Sequence, residues 1–119
     1  VDGALSREDA RRVADVVGGS PLVKTALHGE DPNWGRIIAA VGRSGVHIDP
    51  AQVRLCFETI PLYANGQWCG ADAEHAVITV MKKSRYEISI DLGMGTQSAS
   101  VLTCDLTAEY VRINADYRS

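Results

Sequence analysis

The chain has 119 residues, of which 45% are hydrophobic and 23% charged, and its formal net charge is -3. This length fits one domain with one core, and the composition argues against disorder, collagen and coiled coils. The basic residues are scattered, which argues against nucleic-acid binding, and no apolar run approaches the roughly 20 residues of a membrane span.

The first third of the chain carries three consecutive helix signals. Each one begins with a capping residue, continues with apolar residues at helical spacing and ends at a glycine. Proline in the first turn strengthens the second and third signals. We therefore expect a helical section over about 6–43. The predicted caps are Ser6, Ser20 and Asp31, and the predicted stops are Gly18-Gly19, Gly29 and Gly42 or Gly45.

Strand and turn signals dominate an α/β section over about 46–119. Val53, Leu55 and Phe57 alternate with polar residues, and Asn65-Gly66 predicts a hairpin turn. The further predicted elements are a helix over Asp72–Lys82 capped by Asp72, strands over Arg85–Leu92 and Ser98–Cys104, and a short helix or turn over Leu106–Ile113. The predicted fold is α+β, with N-terminal helices followed by a small, mostly antiparallel sheet and an interposed helix.

The residues alone give no complete catalytic set, and no nucleophile has an obvious adjacent base. His28, His47 and His75 are far apart in sequence and lack metal-binding spacing, so we expect histidines that face solvent or are hydrogen-bonded within the fold, and no metal site. Residues 28–36 crowd charged side chains, an amide and a tryptophan at one helix start. Either this corner contacts a ligand, or Asp31 caps the helix and Trp34 anchors it; capping is favoured.

The polar C-terminus is a second candidate site. Asn114 offers donors and an acceptor, Arg118 a cation, and Ser119 a hydroxyl beside the terminal carboxylate. Such groups can hold a zwitterionic amino acid, although chain ends are more often solvated.

Two long motifs resemble the bifunctional ornithine acetyltransferase / glutamate N-acetyltransferase family. The first runs from Ser20 to Gly42 and contains Gly29-Glu-Asp-Pro-Asn-Trp-Gly-Arg36; the second is the end of the chain, Cys104 to Ser119. The resemblance covers residues 1–119 and implies the C-terminal domain of that family's β chain.

The resemblance also implies a function. Family members cleave their precursor before a threonine, which then carries an acetyl group from N-acetylornithine to glutamate, and some also use acetyl-CoA. No threonine here matches that position, so no catalytic residue is expected in this chain. An asparagine near the family's C-terminus and a terminal hydroxyl residue bind substrate, and they match Asn114 and Ser119, although many relatives have Thr where Ser119 stands.

The implied partners are the upstream β-chain segment and the α chain, in a hetero-oligomer that needs no cofactor. The sequence starts at Val1 without a Met, a basic segment or an apolar segment, which suggests a processed or truncated product. Three cysteines without a C-x-x-C pair suggest reduced, mostly buried thiols in a cytoplasmic protein. The alternatives are a non-catalytic interaction domain and a related N-terminal-nucleophile aminopeptidase.

Overall fold

The computed structural model describes residues 1–104, so the predicted helix or turn over 106–113 and the polar C-terminus lie outside the described residues. The predicted α+β fold is confirmed by helices and an antiparallel sheet in the described part. The helices are α1 Arg7–Gly18, α2 Pro21–His28, α3 Trp34–Gly42 and α4 Ala71–Met81, with a 3₁₀ turn at Pro50–Gln52. The strands are β1 Arg54–Phe57, β2 Ile60–Ala64, β3 Gln67–Trp68 and β4 Ile88–Asp91.

The first two helices begin where their serines predict. The Ser6 hydroxyl accepts the Asp9 amide at 3.0 Å, and the Ser20 hydroxyl accepts the Val23 amide at 3.3 Å. Each serine thereby satisfies an amide that has no partner inside its helix. Pro21 occupies the first turn of α2, as predicted.

The predicted cap of α3 is wrong by two residues. Asn33 caps the helix, because its side-chain oxygen accepts the Arg36 amide at 3.1 Å. The Asn33 amide bonds to the Asp31 carbonyl at 2.7 Å, a tight turn that delays the start of the helix. The Asp31 carboxylate instead accepts the Asn33 side-chain amide at 3.2 Å.

The interposed helix α4 lacks the predicted Asp72 cap. It begins at Ala71 after Gly70, whose φ is 101°, and no side chain caps it. Asp72 and Glu74 lie in the first turn, where their charges favour the positive end of the helix dipole. The apolar residues Ala76, Val77, Val80 and Met81 were expected to form its buried face; Val77, Val80 and Met81 are buried, whereas Ala76 is half-buried.

The sheet has the strand order β3-β2-β1-β4, and all of its strand pairs are antiparallel. The predicted hairpin turn is confirmed: Asn65 and Gly66 have φ of 54° and 75° between β2 and β3. Two consecutive positive φ values are the requirement of the tight hairpin turn that Asn-Gly favours.

The N-terminal segment lies beside β4, where the notion of Ser98–Cys104 as a partner of the Arg85–Leu92 strand would have placed that segment. The Asp2 amide bonds to the Ile90 carbonyl at 2.8 Å, and the Leu92 amide bonds to the Asp2 carbonyl at 2.9 Å. The predicted strand over Ser98–Cys104 is wrong: the segment bonds to the N-terminal residues at Gln97 and Ala99, and Gln97 forms only an isolated bridge with Ala4. Two backbone strands cannot pair with the same edge of β4, and Val1–Ala4 occupies it.

One apolar cluster joins the helices to the inner face of the sheet. Its largest fully buried side chains are Phe57, Leu55, Leu62, Leu92, Val13, Val23, Val41, Val53 and Val77. The alternation predicted for β1 is therefore confirmed. The expectation of buried thiols is wrong, because Cys56 is half-buried while Cys69 and Cys104 are exposed.

Candidate functional site

The corner formed by residues 29–36 packs an aromatic side chain against the sheet. The Trp34 ring stacks on the Tyr63 ring of β2, with the ring centroids 5.3 Å apart and the planes inclined by 26°. Tyr63 is buried, and its hydroxyl donates to the Pro50 carbonyl at 3.2 Å. Trp34 thus fixes α3 on the sheet, which is the anchoring role that the sequence favoured.

The polar residues of the same corner are also used internally. The Arg36 guanidinium donates to the Leu22 carbonyl at 3.0 Å and so ties α3 to α2. The Glu30 carboxylate lies 4.0 Å from the Lys82 ammonium beyond α4, an exposed pair of small energetic weight. The contacts of the corner join neighbouring elements, which supports its structural interpretation.

The histidines occupy solvent-facing positions, one of the two environments that the sequence predicts: His28, His47 and His75 are all exposed. Within residues 1–104, no group of three or more His, Cys, Asp and Glu side chains could hold a metal ion. In that same range, no helix has both the length and the apolar character that crossing a membrane requires.

A surface depression lies at the turn between α1 and α2. This α1–α2 cleft has a volume of about 440 Å³ and is open to solvent. The Asp15 carboxylate on its wall accepts the Arg11 guanidinium at 3.1 Å. The cleft therefore presents a carboxylate, an ammonium, a hydroxyl and a thiol group to solvent. Its lining residues are Asp15, Gly18, Gly19, Lys24, Val101, Leu102, Thr103 and Cys104.

Backbone contacts lead the chain into this cleft. Ala4 and Gln97 exchange hydrogen bonds of 3.0 and 2.9 Å, and the Ala99 amide donates to the Val1 carbonyl at 3.0 Å. Further along, the Thr103 hydroxyl donates to the Gly18 carbonyl at 2.7 Å. The segment that precedes the C-terminal motif therefore ends on the last turn of α1.

The predicted substrate-binding residues Asn114 and Ser119 lie outside the described residues. The structure instead shows the α1–α2 cleft, which was not predicted because Gly18-Gly19 was interpreted as a helix stop in a turn between two helices. One signal in the sequence could have indicated the cleft. One glycine is enough to end a helix, so the second glycine of Gly18-Gly19 can indicate that another segment packs closely there.

Comparison with known proteins decides the family. The ArgJ family model matches residues 1–119. The chain belongs to the ArgJ family. The resemblance seen in the two sequence motifs is thereby confirmed.

Curated relatives match along nearly the whole chain. The arginine biosynthesis bifunctional protein ArgJ of Syntrophotalea carbinolica is 47% identical over 119 residues, and that of Parasynechococcus marenigrum is 50% identical over 117 residues. The chain covers 30% and 28% of those two proteins, while 100% and 98% of the chain is matched. It therefore spans less than a third of the length of these relatives.

A solved structure supports the fold. The crystal structure of the arginine biosynthesis bifunctional protein ArgJ from Bacillus halodurans superposes with a TM-score of 0.87 at 37% identity. The match covers 98% of this chain and 55% of that chain. The arrangement of helices and sheet described above is thus an ArgJ arrangement.

Proposed function

We propose that this chain is the substrate-completing part of an acetyltransferase that moves an acetyl group from N-acetylornithine to glutamate in arginine biosynthesis. The carrying observation is the ArgJ family match over residues 1–119, with relatives named as bifunctional arginine biosynthesis proteins. The transfer proceeds in two steps. A threonine hydroxyl attacks the acetyl carbonyl and releases ornithine, and the glutamate amine then takes the acetyl group from the threonine.

The nucleophile of this reaction belongs to the part of the relatives that this chain does not span. No threonine in this sequence matches the family's nucleophile, and the described residues hold no convincing nucleophile and base pair. The chain's role is therefore to bind and orient the amino acid. Fixing a substrate beside a nucleophile can supply several kcal/mol of the barrier reduction, so a non-catalytic part still controls the rate.

Asn114 and Ser119 are the residues proposed to bind substrate. An asparagine side chain can accept from the substrate's ammonium and donate to its carboxylate. The hydroxyl of Ser119 adds a donor, and the family's usual threonine offers the same group. The support for these two roles is the match of Cys104–Ser119 to the family's C-terminal motif.

The proposed reaction also implies which partner chains the protein needs and whether it needs a cofactor. The chain acts with the preceding β-chain segment and the α chain of one precursor, as a cytoplasmic hetero-oligomer. The acyl-threonine route requires no resident cofactor, and acetyl-CoA enters only as an alternative acetyl donor. Acetyl transfer assayed with N-acetylornithine and with acetyl-CoA separates the two donors.

Steady-state kinetics of the full-length protein test the proposal. Asn114→Ala should raise the KM for N-acetylornithine or glutamate by about ten- to a hundredfold, as expected for losing a hydrogen bond to a charged group. Ser119→Ala should act in the same direction, while Ser119→Thr keeps the hydroxyl and should stay close to the parent protein.

Two results would contradict the proposal. Full-length protein that hydrolyses peptides but transfers no acetyl group would favour an aminopeptidase. Protein with neither activity, whose preceding sequence lacks the family's cleavage threonine, would favour an interaction domain. An unchanged KM in Asn114→Ala, with acetyl transfer intact, would remove only the substrate role of the C-terminus.

A further inference from the structure

One side-chain contact joins the end of the described chain to the helical layer. The Thr103 hydroxyl donates to the Gly18 carbonyl at 2.7 Å, across 85 positions of sequence. Gly18 is the last residue of α1, and its carbonyl is one of the terminal groups that a helix leaves without an internal partner. The hydrogen bond therefore satisfies a helix end and fixes the path of the chain at the same time.

Gly18 also makes room for the approaching segment. A Cβ atom built on Gly18 would lie 3.0 Å from Val101 Cγ2 and 3.7 Å from Thr103 Cβ. Gly18 is helical and has no positive φ, so backbone conformation does not demand glycine here. The demand comes from close packing, because Val101 is β-branched and cannot easily rotate away.

The chain offers a matched comparison. Gly42 is the last residue of α3, as Gly18 is of α1, and it also has no positive φ. A Cβ atom on Gly42 would meet nothing within 4 Å. The two glycines thus share a helical position and differ in whether another segment packs on them.

We propose that Gly18 and Thr103 are positioning residues for substrate binding, which hold the chain on the end of α1 directly before the C-terminal motif. The inference rests on the proposed function of Asn114 and Ser119. Asn114 follows Thr103 by only eleven residues. Holding the chain close to a binding residue lowers the entropy cost of placing that residue on its ligand, so the affinity for substrate should be higher.

Removal of the Thr103 hydroxyl tests the proposal in the full-length protein. Thr103→Val keeps the shape of the side chain and removes the donor. We expect the KM for the amino-acid substrates to rise roughly two- to tenfold, the effect of losing one ordinary hydrogen bond from an equilibrium. The value of kcat should change less, and Thr103→Ser should restore the KM because it restores the hydroxyl.

Replacement of the glycine gives an independent arm. Gly18→Ala should raise the KM, and Val101→Ala in the same protein should reduce that effect, because it removes the methyl group that the new Cβ meets. Gly42→Ala should leave the KM unchanged. Because alanine is the better helix former, Gly42→Ala should keep or raise the thermal midpoint of the protein. In Gly18→Ala the contact with Val101 opposes that gain, so its midpoint should lie below that of Gly42→Ala.

The outcomes separate the two proposals. Parent protein without acetyl transfer overturns the proposed function, and the positioning role falls with it. Active parent protein in which Thr103→Val and Gly18→Ala match Gly42→Ala in KM overturns the positioning role alone. A loss of activity in Thr103→Val that follows a lowered thermal midpoint, with KM unchanged, assigns Thr103 to stability and also overturns it.

Discussion

The stacking of Trp34 on Tyr63 makes a quantitative prediction about the 29–36 corner. The ring centroids are 5.3 Å apart, and Tyr63 is only 5% exposed, so the contact is partly desolvated. Trp34→Leu removes the aromatic pair and part of the buried area. We expect the free energy of unfolding to fall by about 1–2.5 kcal/mol, below the 3–5 kcal/mol of a full Trp→Ala truncation in a core.

A double-mutant cycle isolates the pair itself. Trp34→Leu, Tyr63→Leu and the double variant are unfolded in urea, with tryptophan fluorescence as the signal, and the coupling free energy is taken from the four stabilities. Aromatic pairs contribute about 0.5–1.5 kcal/mol beyond their buried area, so the coupling should fall in that range. Distant residues couple by less than about 0.3–0.5 kcal/mol.

A coupling no larger than that of distant residues would refute the packing argument. The functional interpretation of the corner would then regain weight, and it has a different signature. If residues 29–36 contact substrate, Trp34→Leu in the full-length protein should raise the KM while the thermal midpoint stays constant. The structural interpretation predicts the opposite pattern: a lower midpoint, by roughly 3–6 °C per kcal/mol in a domain of this size, and an unchanged KM.

Three further substitutions test the local arguments by urea unfolding. Gly95→Ala should destabilise the protein by at least about 2 kcal/mol, because the new Cβ would clash with the Ala4 carbonyl oxygen. Gly42→Ala is the control and should be neutral or stabilising. Equal stabilities of the two variants would contradict the close approach of Gly95 to Ala4. Ser20→Ala should cost about 1 kcal/mol, because it removes the cap of α2; no loss would mean that solvent replaces the cap. Gly66→Ala should cost about 1 kcal/mol from its φ of 75° alone, since its nearest neighbour would be 3.6 Å away, and a larger loss would point to an unrecognised clash.

The helices could be predicted because their signals are local. A serine cap and the apolar residues that follow it lie within two turns, and both Ser6 and Ser20 act as predicted. The start of α3 failed for a reason that is also local: Asp31 and Asn33 are both good caps, and sequence spacing alone does not rank them. The tight turn at Asp31 decides between them, and it depends on backbone geometry that the residue types permit without requiring.

The edge of the sheet could not be predicted, because pairing beside β4 is a competition between segments distant in sequence. Sequence signals show only that a segment suits a sheet, and the strand predicted over Ser98–Cys104 had no stronger basis. Such signals do not show which of two candidate segments pairs with the edge of β4. Val1–Ala4 is too short to display a pattern, yet it pairs with β4 through Asp2.

Glycines carry the information that patterning lacks. Gly3 and Gly93 have φ of 68°, and Gly95 approaches the Ala4 backbone too closely for a side chain. These positions describe two backbones that cross in contact, a feature that a sequence records only as small residues in two separate places. The same reasoning applies to Gly18, where a helix-ending glycine also accommodates Val101. Substituting such glycines, with Gly42 as the control, therefore separates the two reasons for which a folded chain keeps glycine. Left-handed conformation is the reason at Gly66, whereas contact is the reason at Gly18 and Gly95.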